Sequence, residues 1–150
     1  MNKKVPVVVN TLLLAWFGLD MTGFHVGDHL LVTRSWREDG IFMLIALAMF
    51  TLFVAKERVG KWALTAWLSL WLTTQLLAHE YCIFAERGPI CYADGLSRFF
   101  ADTIQVVEIP GHYFPDLYHV VLHVLLLVSL IVTARYAWMT RKPQGFNSRS

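Results

Sequence analysis

Four stretches without a single Asp, Glu, Lys or Arg divide the chain: Val5–Leu19, Gly40–Ala55, Trp62–Ala78 and Leu117–Ala134. Each falls slightly short of the ~20 residues that a spanning helix needs, but Trp, Tyr, Lys and Arg at the ends can extend it through the interface. The runs are apolar all round and lack a polar stripe for water, which suits lipid-facing or fully buried helices. With 56% hydrophobic residues and a mean hydropathy of +0.48, the chain has too little polar sequence to coat a water-soluble domain of 150 residues. A soluble four-helix bundle is the competing reading, and the hydropathy argues against it.

The signs of the charges between the runs set an orientation. Lys3 and Lys4 precede the first run, Lys56, Arg58 and Lys61 separate the second from the third, and Arg141, Lys142 and Arg149 follow the fourth. In the other two connections Arg34, Arg37, Arg87 and Arg98 are outweighed by Asp28, Glu38, Asp39, Glu86, Asp94, Asp102, Glu108 and Asp116. The positive-inside bias then predicts both termini and the 56–61 turn in the cytoplasm. The expected fold is all-α: an integral membrane four-helix bundle, N-in and C-in, occupying 1–140, with helices at about 5–25, 36–56, 62–84 and 115–140. The polar tail 141–150 is expected to be disordered and cytoplasmic. The expected location is the inner or plasma membrane of a bacterium or archaeon.

Met1-Asn2-Lys3-Lys4 followed by Val5–Ala15 resembles the opening of a signal peptide. No small-x-small cleavage site follows, so the segment is expected to be retained. The connection at 28–39 carries Leu30-Leu31-Val32 and Trp36 and is expected at the interface. In the long connection after helix three, Leu96, Phe99, Phe100, Thr103, Ile104 and Val107 recur at helical spacing. This predicts an amphipathic helix on the outer surface between helices three and four, or a docking face for a partner. Cys82 and Cys91 both fall outside and are expected to pair as a disulfide, since the C-x-x-C spacing of thiol oxidoreductases is absent. The net charge of +2 gives no argument for nucleic acid.

All six histidines, His25, His29, His79, His112, His119 and His123, fall toward the non-cytoplasmic side. At 1.5 Å per residue, Asp20 lies about 22 Å up helix one and His79 about 25 Å up helix three. Counted back from Arg135, His123 lies about 18 Å and His119 about 24 Å up helix four. Ionisable groups at that depth are costly, so they face the bundle interior and carry a role.

Asp116, His119 and His123 fall at i, i+3 and i+7, on one helix face. Two histidines at i, i+4 can chelate one metal ion, with the carboxylate as third ligand or as the group that orients an imidazole. His25 and His29 form a second such pair, although Gly27 interrupts the helix they need. Gln75 and His79 form a third, while Glu80 points about 100° away from His79. The bland alternatives are that Asp116 answers the helix dipole, that His112, after Pro110-Gly111, is a loop residue, and that Asp20 pairs with Arg34 or Arg37.

Three functions fit. The first is a membrane metalloprotein whose ion is held by His119, His123, Asp116 and one of His25, His29 or His79. Zinc, iron or copper would suit such ligands, Glu80 is a candidate catalytic proton carrier, and a lipid or quinol-like molecule is the substrate class. The second is a single-haem b-type electron-transfer protein with axial ligands among His25, His79, His119 and His123. The third is a non-catalytic subunit or assembly factor with membrane protein partners or a second copy of itself.

Overall fold

The computed structural model describes residues 2–81, 102–107 and 114–141, and the account that follows concerns these. The described chain is mostly helical. Helix α1 spans Lys4–Thr22, α2 Trp36–Ala55, α3 Glu57–Gln75 and α4 Leu117–Met139. Beyond Gln75, α3 continues as one wide π turn, Leu76–Glu80. Around the assembly α1 packs on α2, α2 on α3, α3 on α4 and α4 back on α1.

The helices alternate in direction, as the contacts at the two ends show. At one end Lys3 Nζ donates to the Val54 carbonyl, Tyr136 Oη donates to Glu57 Oε1 at 2.6 Å and Lys61 Nζ donates to the Thr140 carbonyl. At the other end the Ser35 N–H donates to the Asp20 carbonyl, and the rings of His79 and His119 meet.

Burial runs opposite to that of a water-soluble protein. Leu44 is 65% exposed and Leu70 60%, whereas Ser129, Thr133 and Asp116 are 0% exposed. Large apolar side chains facing outward and polar ones inward suit a surround of lipid. Helices α1, α2 and α4 are long and apolar enough to cross a membrane, which points to membrane association. Helix α3 does not reach the same apolarity, because Glu57, Arg58 and Lys61 fall in its first turns and Thr73, Thr74 and Gln75 in its last. It instead buries Leu64, Leu68, Trp71 and Leu72 against its neighbours, with Phe17 edge-on to Trp71 at 4.6 Å.

Asn10 ties α1 to α4. Its Nδ2 donates to Thr133 Oγ1 at 2.9 Å and to the Pro6 carbonyl at 2.8 Å, in a fully buried position. Cross-helix hydrogen bonds of this kind in membrane proteins average about 0.6 kcal/mol, with a maximum near 1.7. A double-mutant cycle of Asn10→Ala and Thr133→Val is therefore expected to give a coupling of about 0.6 kcal/mol in denaturant unfolding. A coupling of zero would show that the contact only fills space.

Three expectations change. The first helix ends at Thr22 rather than near 25, and the chain then turns through an antiparallel hairpin, β1 (Phe24–Val26) and β2 (His29–Val32). Gly27-Asp28 is the two-residue turn, and Gly27 takes φ +61, which suits such hairpins. The first half of the expected surface helix, up to Ala101, lies outside the described residues, and 102–107 is not helical. This stretch runs as a strap. The Ile104 N–H donates to the Leu30 carbonyl and the Leu117 N–H to the Ile104 carbonyl, while Thr103 bridges to Leu30 and Gln105 to Asp116. The helical spacing there was real, but backbone pairing with β2 and with the start of α4 outweighs it. Third, the 56–61 turn shrinks to Lys56 between two helices, and α4 begins at Leu117. The Cys82–Cys91 pairing and the tail beyond Arg141 lie outside the described residues.

Candidate functional site

The N-terminal end of α4 opens on Asp116, whose side chain caps the helix. Its Oδ1 accepts from the His119 backbone N–H at 2.9 Å, as N-cap carboxylates do. The same oxygen lies 2.7 Å from His119 Nδ1. A carboxylate accepting from Nδ1–H leaves the lone pair on Nε2, the arrangement found behind metal-ligating histidines. Asp116 is fully buried, and its other oxygen, Oδ2, has no hydrogen-bond partner among the described residues. The bland reading of Asp116 as a helix-end residue is therefore correct as far as it goes, and the same atom also orients an imidazole.

His79 arrives from the π turn at the end of α3. The i→i+5 bonding of such a turn sets side chains back around the axis relative to an α-helix, a distortion that recurs at functional sites. The His79 ring lies tilted against that of His119, with centroids 4.5 Å apart and planes 35° apart. It stands 5.5 Å from His123, and His119 and His123 are 6.3 Å apart. His79 is 8% exposed and His123 9%. Gln75, one turn before His79, approaches His123 Nε2 with its Oε1 at 3.5 Å, at the long limit of a hydrogen bond.

Three imidazoles from two helices thus meet at one end of the bundle. An ion held tetrahedrally by three imidazole nitrogens at roughly 2.0–2.1 Å places the ring centroids about 5 Å apart. The spacings of 4.5, 5.5 and 6.3 Å bracket that value. Among the described residues, however, no three His, Cys, Asp or Glu groups are already arranged to hold a metal ion. The rings meet tilted or edge-on to one another. Converging them takes rotation about side-chain torsions, of which the terminal one in histidine is broad and soft.

Beneath His119 lies a second layer of carboxyls. Asp20, 4% exposed at the end of α1, accepts the Ser35 N–H on its backbone carbonyl, and its carboxyl lies within electrostatic range of Asp39 of α2. Asp39 lies within electrostatic range of His119, and Tyr118 within range of Asp20, Asp39 and Asp116. Tyr118 is held by stacking on Trp16 at 5.6 Å, and the Trp16 indole N–H donates to the Tyr118 carbonyl at 3.1 Å. The expected pairing of Asp20 with Arg34 or Arg37 is replaced by this approach of Asp39, and both arginines lie over the Trp36 ring instead.

The remaining candidates separate from the cluster. His25 and His29 sit on the exposed hairpin, which ends their expected helical i, i+4 relation. Glu80 belongs to the π turn, but its side chain lies outside the described residues, as does all of His112. In the sequence Asp39 stands out only as a charge of the connection. Its one sequence signal is that a carboxylate sits beside the start of an apolar run.

The fold and this cluster define a class: a helical protein with three membrane-length helices and a histidine and carboxylate layer buried at one end. No known protein family, no curated protein and no solved structure matches the chain.

Proposed function

We propose that the chain is a four-span membrane protein carrying a mononuclear metal site at its non-cytoplasmic end, with His79, His119 and His123 as ligands and Asp116 orienting His119. The observation that carries this reading is the meeting of two buried imidazoles, His79 and His123, with the half-buried His119, beside a buried carboxylate that has one oxygen engaged on His119 and one without a partner among the described residues. Three nitrogens leave a tetrahedral ion one position for water or substrate, the pattern of catalytic rather than structural sites. Zinc, iron(II) and copper(II) suit such donors. When bound, the ion would supply Lewis-acid activation of water or of a substrate oxygen, or one-electron chemistry if it is iron or copper. A site at this depth is reached from the outer leaflet, which makes a lipid or a quinol the substrate class. Asp20, Asp39 and Glu80 are the candidate proton carriers.

A haem fits less well. The His79 and His119 ring centroids, 4.5 Å apart, leave no space between them for a macrocycle. The subunit reading takes its support from Phe24 and Val26, 43% and 53% exposed on the hairpin outside the helices.

Metal analysis with a visible spectrum of protein purified without chelators tests the proposal. About one equivalent of a transition metal is expected, with no Soret band. His79→Ala, His119→Ala and His123→Ala should each lose it while the helical content is retained. A protein that neither carries nor takes up zinc, iron(II) or copper(II) would return the site to the subunit reading.

The orientation is tested separately. Val59, 60% exposed just after the α2–α3 turn, should as Val59→Cys react with an impermeant thiol reagent only after the cells are broken open. Labelling in intact cells would invert the topology.

A further inference from the structure

At the end of the assembly opposite the histidines, about 27 Å from His79 by helix rise, an open cavity of about 760 Å³ lies between the start of α3 and the end of α4. Arg58, Lys61 and Arg141 line it together with Trp62. Lys61 is fixed there: it is 5% exposed, and its Nζ donates to the Thr140 carbonyl at 2.9 Å and to Thr140 Oγ1 at 2.7 Å. Those two bonds use two of the three donors of an ammonium group. Arg141 is braced over the Trp138 ring at 3.8 Å. The one carboxylate lining the cavity, Glu57, is already engaged by the Tyr136 hydroxyl at 2.6 Å and by Lys3 at 3.4 Å. Two cations of α3 and one just past the end of α4 therefore face a space with no unpaired anion among the described residues that line it. Trp62 and Trp138, 44% and 60% exposed, flank it as aromatic side chains do at a membrane boundary.

We propose that this cavity binds the phosphate-bearing headgroup of an anionic phospholipid, with Arg58, Arg141 and the third Lys61 donor on the phosphate and the acyl chains running along the exposed faces of α3 and α4. The inference rests on the membrane reading but not on the metal site. The volume lies within the range of small-molecule sites and far exceeds what a bare phosphate fills. Basic pockets between transmembrane helices recognise anionic headgroups in this way. Lys61 supplies both a cap for the last carbonyls of α4 and a fixed positive charge, so it is not the residue to remove in a test.

The full chain, purified in neutral detergent, is titrated with short-chain phosphatidylglycerol, with phosphatidylcholine of the same chain length and with inorganic phosphate, and the unfolding midpoint is followed. Phosphatidylglycerol should raise the midpoint saturably and phosphatidylcholine should not. Near an anionic surface each cation is worth about fivefold in affinity, so the exposed pair Arg58→Gln and Arg141→Gln together should weaken the response about 30-fold. Equal responses to the two lipids, or an unchanged response in the double variant, would overturn the proposal. Inorganic phosphate matching phosphatidylglycerol at the same concentration would overturn the lipid assignment in favour of a free anion. Failure of the membrane reading itself would look different: carbonate washing would release the wild-type chain from membranes.

Discussion

Asp116→Asn is expected to weaken metal binding about 10–100-fold while leaving the unfolding midpoint nearly unchanged. The carboxylate does two things through one oxygen. It accepts the His119 backbone N–H at 2.9 Å, and it lies 2.7 Å from His119 Nδ1. Asparagine is as good an N-cap as aspartate, so the helix start survives the exchange. A neutral amide oxygen is a weaker acceptor for Nδ1–H, and loss of such an orienting partner typically lowers affinity by about 10–100-fold. Asp116→Ala should lose both effects and cost a further ~0.5–2 kcal/mol of stability through the missing cap. The comparison separates the two roles. If Asp116→Asn binds metal like the wild type, Asp116 is only a cap and the carboxylate takes no part in the site. The midpoint of each variant, read alongside zinc affinity by competition with a chromophoric chelator, decides the matter.

Gly60→Ala is expected to be among the most destabilising single-methyl changes in the chain, and Gly60→Val more so. Gly60 is buried where α3 crosses α2, and a Cβ there would run into the Phe53 Cα and the Leu52 carbonyl oxygen, both backbone atoms. Neither can swing aside as a side-chain tip could. The helices would have to part, loosening Phe53, which is 0% exposed and packs edge-on to Tyr136 at 5.8 Å. Overpacking of this kind costs typically 1–3 kcal/mol and sometimes more, so a loss of roughly 3 kcal/mol is expected for alanine in denaturant unfolding. Gly18→Ala, where nothing lies within 4 Å of the added methyl, is the control and should be neutral or slightly stabilising through helix propensity. Equal midpoints for the two variants would mean that α2 and α3 do not approach at Gly60.

The histidine layer was legible in part because helical geometry is local. Depth along a helix follows from counting residues, so His79, His119 and Asp20 could be placed at one level without knowing how the helices pack. Asp116, His119 and His123 share a face by spacing alone, and α4 keeps them together. The errors came where a backbone partner lies far away in sequence. The sequence reads as helical to about His25 but the helix ends at Thr22, and Gly27-Asp28 between two short apolar runs is a hairpin signal. The helical spacing at 103–107 lost to hydrogen bonds with Leu30 and Leu117.

By itself the sequence determined the helical class, the apolar runs and the segregation of histidines to one end, because hydropathy and helix rise depend on the residues of one segment. Only the tertiary structure decided which histidines meet. Rotation of a helix about its axis is set by what it packs against, and the π turn at Leu76–Glu80 sets back the side chains of its own stretch. The same holds for Asp39 meeting Asp20, and for Lys61 turning inward to Thr140. In each case the partner is named by the neighbouring helix, and no pattern within a single run encodes which neighbour that is.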